Sequence, residues 1–205
     1  MMVITDLDGK LLAGAPGRKP SSETMMHLVV YRNRPDVEAV VHSHPPLSTG
    51  FAVAGIPLDR AVLAEVVTTL GSIPIAEYGT PSTRELADAV EPYVRLHDGL
   101  LLANHGALAL GKDLFAAYYK METIEHFAKI SLVARLLGRE NLLSREEVMR
   151  LQLHPHPRTP PKPPSRAGSR RTCMARRPQR ARLMRADSRN VSRASGKWRP
   201  KRLAA

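Results

Sequence analysis

Val37-Glu38-Ala39-Val40-Val41-His42-Ser43-His44-Pro45-Pro46 is an apolar run that ends in two imidazoles and is stopped by two prolines. Its β-branched residues predict a strand over Val37 to His44, and the proline pair bends the chain away. Side chains two apart on a strand share a face, so His42 and His44 converge on one point while Ser43 turns aside. A third candidate ligand, His105, lies in the tight segment Asn104-His105-Gly106. Together with Glu23 they offer imidazole and carboxylate donors. Such a set suits a catalytic zinc site that keeps a position open for substrate.

Outward from this strand, helices and strands alternate. Met1 to Leu12 reads as a hairpin turning at Asp8-Gly9, and Ser21-Ser22-Glu23 opens a helix to about Arg34, with a serine as its N-cap. After the strand, helices are predicted over Leu47 to Ala54 and Ala61 to Leu70, and a short strand over Ser72 to Glu77. Thr83 to Arg95 is helical, with Ser82 or Thr83 as cap. Gly99 to Ala103 is a buried strand that delivers His105 to a two-residue turn, and Ala107 to Leu110 is its partner. Leu114 to Leu137 forms a long amphipathic helix closed by Gly138, with Tyr118 and Tyr119 expected to pack against it. Ser144-Arg145-Glu146-Glu147 caps a last short helix. The alternation predicts one layered α/β domain around a single sheet.

Charge divides the chain of 205 residues in two. The last fifty-one positions carry 16 of the 31 Lys and Arg and only one acid, Asp187, whereas residues 1–154 hold 15 bases against 18 acids. The overall net charge of +12 therefore describes the C-terminal segment and excludes nucleic-acid binding as an inference about the rest. The single cysteine, Cys173, rules out a disulfide framework and a thiolate metal site. No apolar stretch reaches the ~18 residues of a membrane span, and the default location is cytoplasmic. The expected division is a folded domain over 1–153 and an Arg/Pro-rich tail over 154–205 that reads as disordered. The tail is expected to be a non-functional extension rather than a nucleic-acid arm, since charge runs are common and Trp198, its only aromatic residue, gives no interleaving for base stacking.

Four motifs then occur in register: Pro20-Ser21-Ser22-Glu23, His42-Ser43-His44-Pro45, Tyr78-Gly79-Thr80 leading to Thr83-Arg84-Glu85-Leu86, and Asn104-His105-Gly106. Over about residues 1–150 the chain resembles the class II aldolase/adducin family, most of all its fuculose-phosphate aldolase branch. The resemblance implies a class II aldolase fold around a central, mainly antiparallel sheet. It implies that His42, His44 and His105 bind one Zn2+ per subunit and that Glu23 is the acid/base, able to take the open metal position when substrate is absent. Ser21 and Ser22 are implied to hold the substrate phosphate. Tyr78 is implied to reach the site from a neighbouring subunit of a homotetramer and to protonate the leaving carbonyl oxygen. The implied reaction is reversible cleavage of a ketose 1-phosphate, such as L-fuculose 1-phosphate, to dihydroxyacetone phosphate and an aldehyde.

Against the family pattern the chain reads as N-terminally truncated, beginning at the hairpin after the helix and Gly-Asn loop that complete the phosphate site. Epimerases of this fold carry Asp where Glu23 stands, so the glutamate favours an aldolase; dehydratases share the His-x-His motif. A non-catalytic adducin-like interaction domain is the reading from another class, and the intact ligand set argues against it. The remaining histidines read as structural: His27 as packed or capping, His97 and His126 as surface residues, His154 and His156 without ligand partners.

Overall fold

A four-stranded sheet forms because four apolar segments can each bury both faces between helices. The computed structural model describes residues 2–153, and the predicted features of the tail, His154, His156, Cys173 and Trp198 among them, lie outside the described residues. A small antiparallel hairpin, β1 (Val3–Thr5) and β2 (Leu11–Gly14), precedes the sheet, and its turn uses Gly9 at φ +82°. The sheet runs in the order β3 (Ala39–Ser43), β6 (Gly106–Gly111), β5 (Gly99–Leu102), β4 (Ile75–Ala76). The β3–β6 and β6–β5 pairs are antiparallel and only the short β4 runs parallel to β5. The expectation of a mainly antiparallel central sheet in a class II aldolase fold is borne out.

Strand alternation sorts the core into two layers. Val40, Leu100, Leu102, Leu108 and Leu110 face one side, against α1 (Thr24–Asn33) and α4 (Arg84–Val94). Val41, Leu101, Ala107 and Ala109 face the other, against α2 (Pro46–Val53), α3 (Ala64–Thr69) and α5 (Leu114–Leu136). The five leucines of β5 and β6 are wholly buried, each contributing roughly 1.5–3 kcal/mol. On the α5 side, Ala107 and Ala109 keep the strand surface low, and α5 lays Ala117, Met121, Ile124, Ala128 and Ser131 onto it at helical spacing. His42 continues the parity of Val40. It therefore emerges on the α1 side, where Glu23 begins its helix.

Local chemistry sets the element ends. Thr83 caps α4 by accepting from the Glu85 amide at 3.2 Å, which selects it over Ser82. Ser144 and Glu147 form the expected reciprocal box at the start of α6 (Arg145–Leu153), with distances of 3.2 and 2.7 Å. Gly138, at φ +85°, closes α5.

Several expectations need correction. Helix α1 starts at Thr24, its N-cap is Glu23, and no side chain caps it; Ser21 instead closes a separate turn, its hydroxyl accepting from the Glu23 amide at 3.2 Å. The β3 ladder ends at Ser43, because Pro45 has no amide to continue it, so His44 stands just past the strand. The β5–β6 turn spans Ala103, Asn104 and His105, with Asn104 at φ +56°. Tyr118 and Tyr119 do not pack onto the core. Tyr118 sits on the flank of α5 and Tyr119 opposite Ala117 and Met121, 47% and 59% exposed, and Tyr118 donates to Glu122 at 2.6 Å.

Candidate metal centre

Three imidazoles from two chain segments meet at one end of the sheet. One nitrogen from each of His42, His44 and His105 lies within 4.8 Å of the others, and the ring centroids are 4.8–4.9 Å apart in every pair. His42 is placed by the β3–β6 ladder, where it pairs with Leu108. His44 is placed by the bend into the prolines. His105 is placed by the β5–β6 turn, in which its own amide bonds the Leu102 carbonyl at 3.0 Å and the Asn104 amide bonds Ala52 at 3.3 Å.

The tautomer of His42 follows from its partners. Its Nδ1 lies 2.9 Å from the Ala107 carbonyl, an acceptor only, so Nδ1 carries the proton and Nε2 presents a lone pair. That Nε2 faces Nε2 of His44 at 3.2 Å. Burial pushes the His42 imidazole down to about 4, against the opposing bond to Ala107, and His105 and His44 press in the same direction as burial. Burial also lowers His105, with the Glu23 carboxylate opposing it. Both rings are thus neutral near pH 7, the form that ligates a metal.

Two polar atoms here are buried with no hydrogen-bond partner: Nδ1 of His105 and Oε2 of Glu23. Buried polar atoms are ordinarily paired, so an orphaned ring nitrogen and carboxylate oxygen beside two more imidazoles fit a site that takes a cation. The donor set, three neutral imidazoles with a carboxylate nearby, fits a divalent ion of the zinc type. Glu23 itself stands outside the three-residue cluster, though close enough for its charge to act on His42, His105 and His27.

Gly106 is indispensable to this packing. A Cβ there would fall 2.5 Å from Cδ2 of His44 and 2.6 Å from the Ser43 carbonyl oxygen. Only a glycine lets the turn after His105 pass that close to His44.

The other predicted residues are dispersed around the centre. Ser21 and Ser22 are exposed just before α1, and Ser21 lines a cleft of about 230 Å³ with Pro20, Thr24 and His27. Tyr78 is 58% exposed on the loop after β4. His27 is half-buried beside Glu23, and burial lowers its pKa while the Glu23 carboxylate opposes the shift. His97 packs its Nδ1 against Ser72, 3.2 Å from the carbonyl, and His126 is exposed. One residue had no signal in the sequence: Glu125 of α5, whose carboxylate accepts from the amides of Leu47 and Ser48 directly after the His44 bend.

Comparison with known proteins gives this geometry a context. The chain is 37% identical over 150 residues to a 5-deoxy-D-ribulose 1-phosphate aldolase of Bacillus thuringiensis serovar kurstaki, covering 73% of this chain and 69% of that protein. It is 33% identical over 130 residues to a 3-oxo-tetronate 4-phosphate decarboxylase of Escherichia coli, covering 62% and 60% respectively. Its structure superposes on that of an L-fuculose 1-phosphate aldolase with a TM-score of 0.69 at 34% identity, over 74% of this chain and 70% of the other. Residues 1–132 match the class II aldolase and adducin N-terminal domain, and the chain therefore belongs to the class II aldolase family.

Proposed function

We propose that this protein is a zinc-dependent lyase that reversibly cleaves a ketose 1-phosphate, such as L-fuculose 1-phosphate, to dihydroxyacetone phosphate and an aldehyde. The observation that carries the reading is the convergence of three imidazoles with two orphaned buried atoms, His105 Nδ1 and Glu23 Oε2. His42, His44 and His105 would hold the ion. When bound, zinc supplies Lewis-acid stabilisation of the negative charge that develops beside the carbonyl as the carbon–carbon bond breaks.

The chain's own residues do the rest. Glu23 moves the proton at the carbon next to the carbonyl, removing it in the synthetic direction and returning it after cleavage. Its position at the foot of α1, on the sheet face to which His42 points, supports that role. Ser21 and Ser22 offer exposed hydroxyls at the mouth of the α1 turn for the substrate phosphate. Tyr78, exposed on its loop, serves the oxygen that becomes the aldehyde in the site of a neighbouring copy within a homotetramer. Folded residues 1–153 form the catalytic domain in this reading. Among the described residues no helix is long and apolar enough to cross a membrane, which accords with a cytoplasmic enzyme.

The decarboxylase relative favours one second reading. Decarboxylation of a 3-oxo acid phosphate also breaks a carbon–carbon bond and leaves charge next to a carbonyl, so the same ion and the same Glu23 would serve it. One experiment separates the two: zinc-loaded wild type and Glu23→Gln are offered a panel of ketose 1-phosphates and 3-oxo acid phosphates, with dihydroxyacetone phosphate and carbon dioxide measured. Release of dihydroxyacetone phosphate from a ketose 1-phosphate, with no carbon dioxide and lost in Glu23→Gln, supports the aldolase. Carbon dioxide released from a 3-oxo acid phosphate, together with the ketone phosphate left behind and with no cleavage of ketose 1-phosphates, supports the decarboxylase, and neither reaction from fully metallated protein rejects both.

A further inference from the structure

Helix α2 begins two residues after the ligand His44, and it begins without any local means of satisfying its first amides. Its N-cap is Pro45, which has no side-chain acceptor, and its first residue is Pro46, which has no amide. The first two backbone donors it exposes are therefore those of Leu47 and Ser48. Both are taken by a single carboxylate from the middle of α5: Glu125 Oε1 accepts from the Leu47 amide at 3.0 Å, and Oε2 accepts from the Ser48 amide and the Ser48 hydroxyl, each at 2.8 Å. Ser48 is fully buried. Among the described residues no Lys or Arg pairs with Glu125, so its two oxygens are committed to this contact. A negative charge at a helix N-terminus is also the sign the helix dipole favours.

We infer that Glu125 is a positioning residue for the metal ligand His44, clamping the chain on the far side of the Pro45-Pro46 bend. The inference rests on the metal reading above. The link between clamp and ligand is stiff. Proline fixes φ at residues 45 and 46, and the residue before a proline is restricted to extended backbone. Few soft torsions therefore separate the Leu47 amide from the His44 ring. On its other side the ring is confined by Gly106, whose missing Cβ leaves just enough room. Releasing the clamp frees the first turn of α2 to shift, and His44 moves with its prolines. His42 and His105, held by the ladder and the turn, stay in place.

The test uses the full chain as wild type, Glu125→Ala and Glu125→Gln, with Thr83→Ala as a control that removes the side-chain cap of α4, a helix that carries no ligand. Each protein is titrated with Zn2+ against a chromophoric chelator and separately with Co2+, whose visible absorption reports ligand geometry. The expected result is zinc binding weakened by about tenfold or more in Glu125→Ala, the scale at which residues supporting metal ligands act, with an altered Co2+ spectrum. Glu125→Gln, which keeps one carbonyl acceptor, falls between Ala and wild type, and Thr83→Ala binds as wild type does. Wild-type affinity and an unchanged Co2+ spectrum in Glu125→Ala overturn the inference, as does an equal loss in Thr83→Ala. If Glu125→Ala fails to fold, Glu125→Gln decides alone, and wild-type binding by it overturns the inference. Wild type that binds neither ion overturns the metal reading and this inference with it, an outcome distinct from wild-type binding that the variants leave unchanged.

Discussion

His42 donates its Nδ1 proton to the carbonyl oxygen of Ala107 across 2.9 Å, joining the strand that carries one candidate ligand and leads into a second to the strand that follows the third. The bond serves geometry and electronics at once. It fixes the ring's orientation, and it leaves the Nε2 lone pair aimed at His44. Because the acceptor is a backbone carbonyl of β6, whose residues are fully buried, the ring's placement is set by the fold and does not depend on an ion. The expected consequence is a folded apo-protein: chelator treatment should remove the metal and leave the far-ultraviolet circular dichroism unchanged, since the two core layers lie on the sheet faces and not at the site. Restoring zinc to a hundred times its dissociation constant should then raise stability by about 2.7 kcal/mol, read as a shift in the denaturant midpoint. Loss of secondary structure on chelation would show that the ion is part of the fold.

Gly106→Ala offers a sharper probe of the same centre. The added methyl would sit 2.5 Å from His44 Cδ2 and 2.6 Å from the Ser43 carbonyl oxygen, closer than atoms can pack. The ring is the more mobile of the two, so it should give way. Zinc affinity should fall at least tenfold, and overpacking should lower stability by about 1–3 kcal/mol. Isothermal titration and a urea melt measure the two effects, and an alanine variant with wild-type affinity would mean that His44 is not a ligand.

How much of this was legible in the sequence depended on distance along the chain. The convergence of His42 and His44 follows from strand periodicity and needs nothing else, even though the ladder ends at Ser43. His105 was legible because a glycine turn beside a short apolar segment marks the end of a strand. Glu125 was not. It lies 78 positions from Leu47, and in sequence it is one more acid on a helix beside Glu122 and Lys129. Tyr118 and Tyr119 misled for a related reason: aromatic residues suggest burial, but Ala117 and Met121 fill the core-facing positions and rotate the tyrosines outward. Ser21 has the chemistry of a helix cap, yet the extra turn it closes leaves α1 to begin three residues later.

At the opposite end of the sheet from the ligands, Asp98 holds two cations together. Its carboxylate accepts from Arg34 at 2.9 Å and from Lys120 at 2.5 Å, while Arg34 also bonds the Val94 carbonyl and Lys120 the Leu110 carbonyl. Both cationic side chains are more than four-fifths buried. Asp98→Ala leaves them without that carboxylate and should cost roughly 1.5–3 kcal/mol, the range for hydrogen bonds to charged groups. Metal affinity should stay within about twofold of wild type, which separates this structural cluster from the site. A combined thermal melt and zinc titration reads both, and a large affinity loss would show that the two ends of the sheet are coupled.

Acid sensitivity should carry a signature of the neighbouring Asp36. The Arg34 guanidinium bonded to it holds its carboxyl at about 2, below the ordinary 3.8. A carboxylate depressed by folding stabilises the native state above the unfolded value, and that contribution disappears as pH falls through the folded one. The relevant window therefore runs from about pH 4 down to about pH 2. Asp36→Asn, which lacks this titration, should be less stable than wild type near pH 7, lose less stability across that window, and converge on wild type near pH 2. A carboxyl midpoint near 4 for Asp36, measured by nuclear magnetic resonance, would remove the basis of the expectation.

The reading of Tyr78 as a residue lent to another copy has a direct test, because sharing a site between chains makes defects complementary. In the proposed reading Glu23 would act within its own chain, beside its own imidazoles, whereas Tyr78, 58% exposed on a loop, would act across an interface. Glu23→Gln and Tyr78→Phe should each be nearly inactive in the aldol cleavage, with full zinc occupancy in both. Unfolded together and refolded as mixed oligomers, they should regain activity, since some sites then combine an intact glutamate from one chain with an intact tyrosine from its neighbour. Both residues acting within one chain predicts no recovery at any mixing ratio, because every site would still lack one of them. A tyrosine without a catalytic role predicts that Tyr78→Phe alone is active. The three outcomes differ in kind rather than degree, so a single activity measurement on the mixture and its two parents distinguishes them.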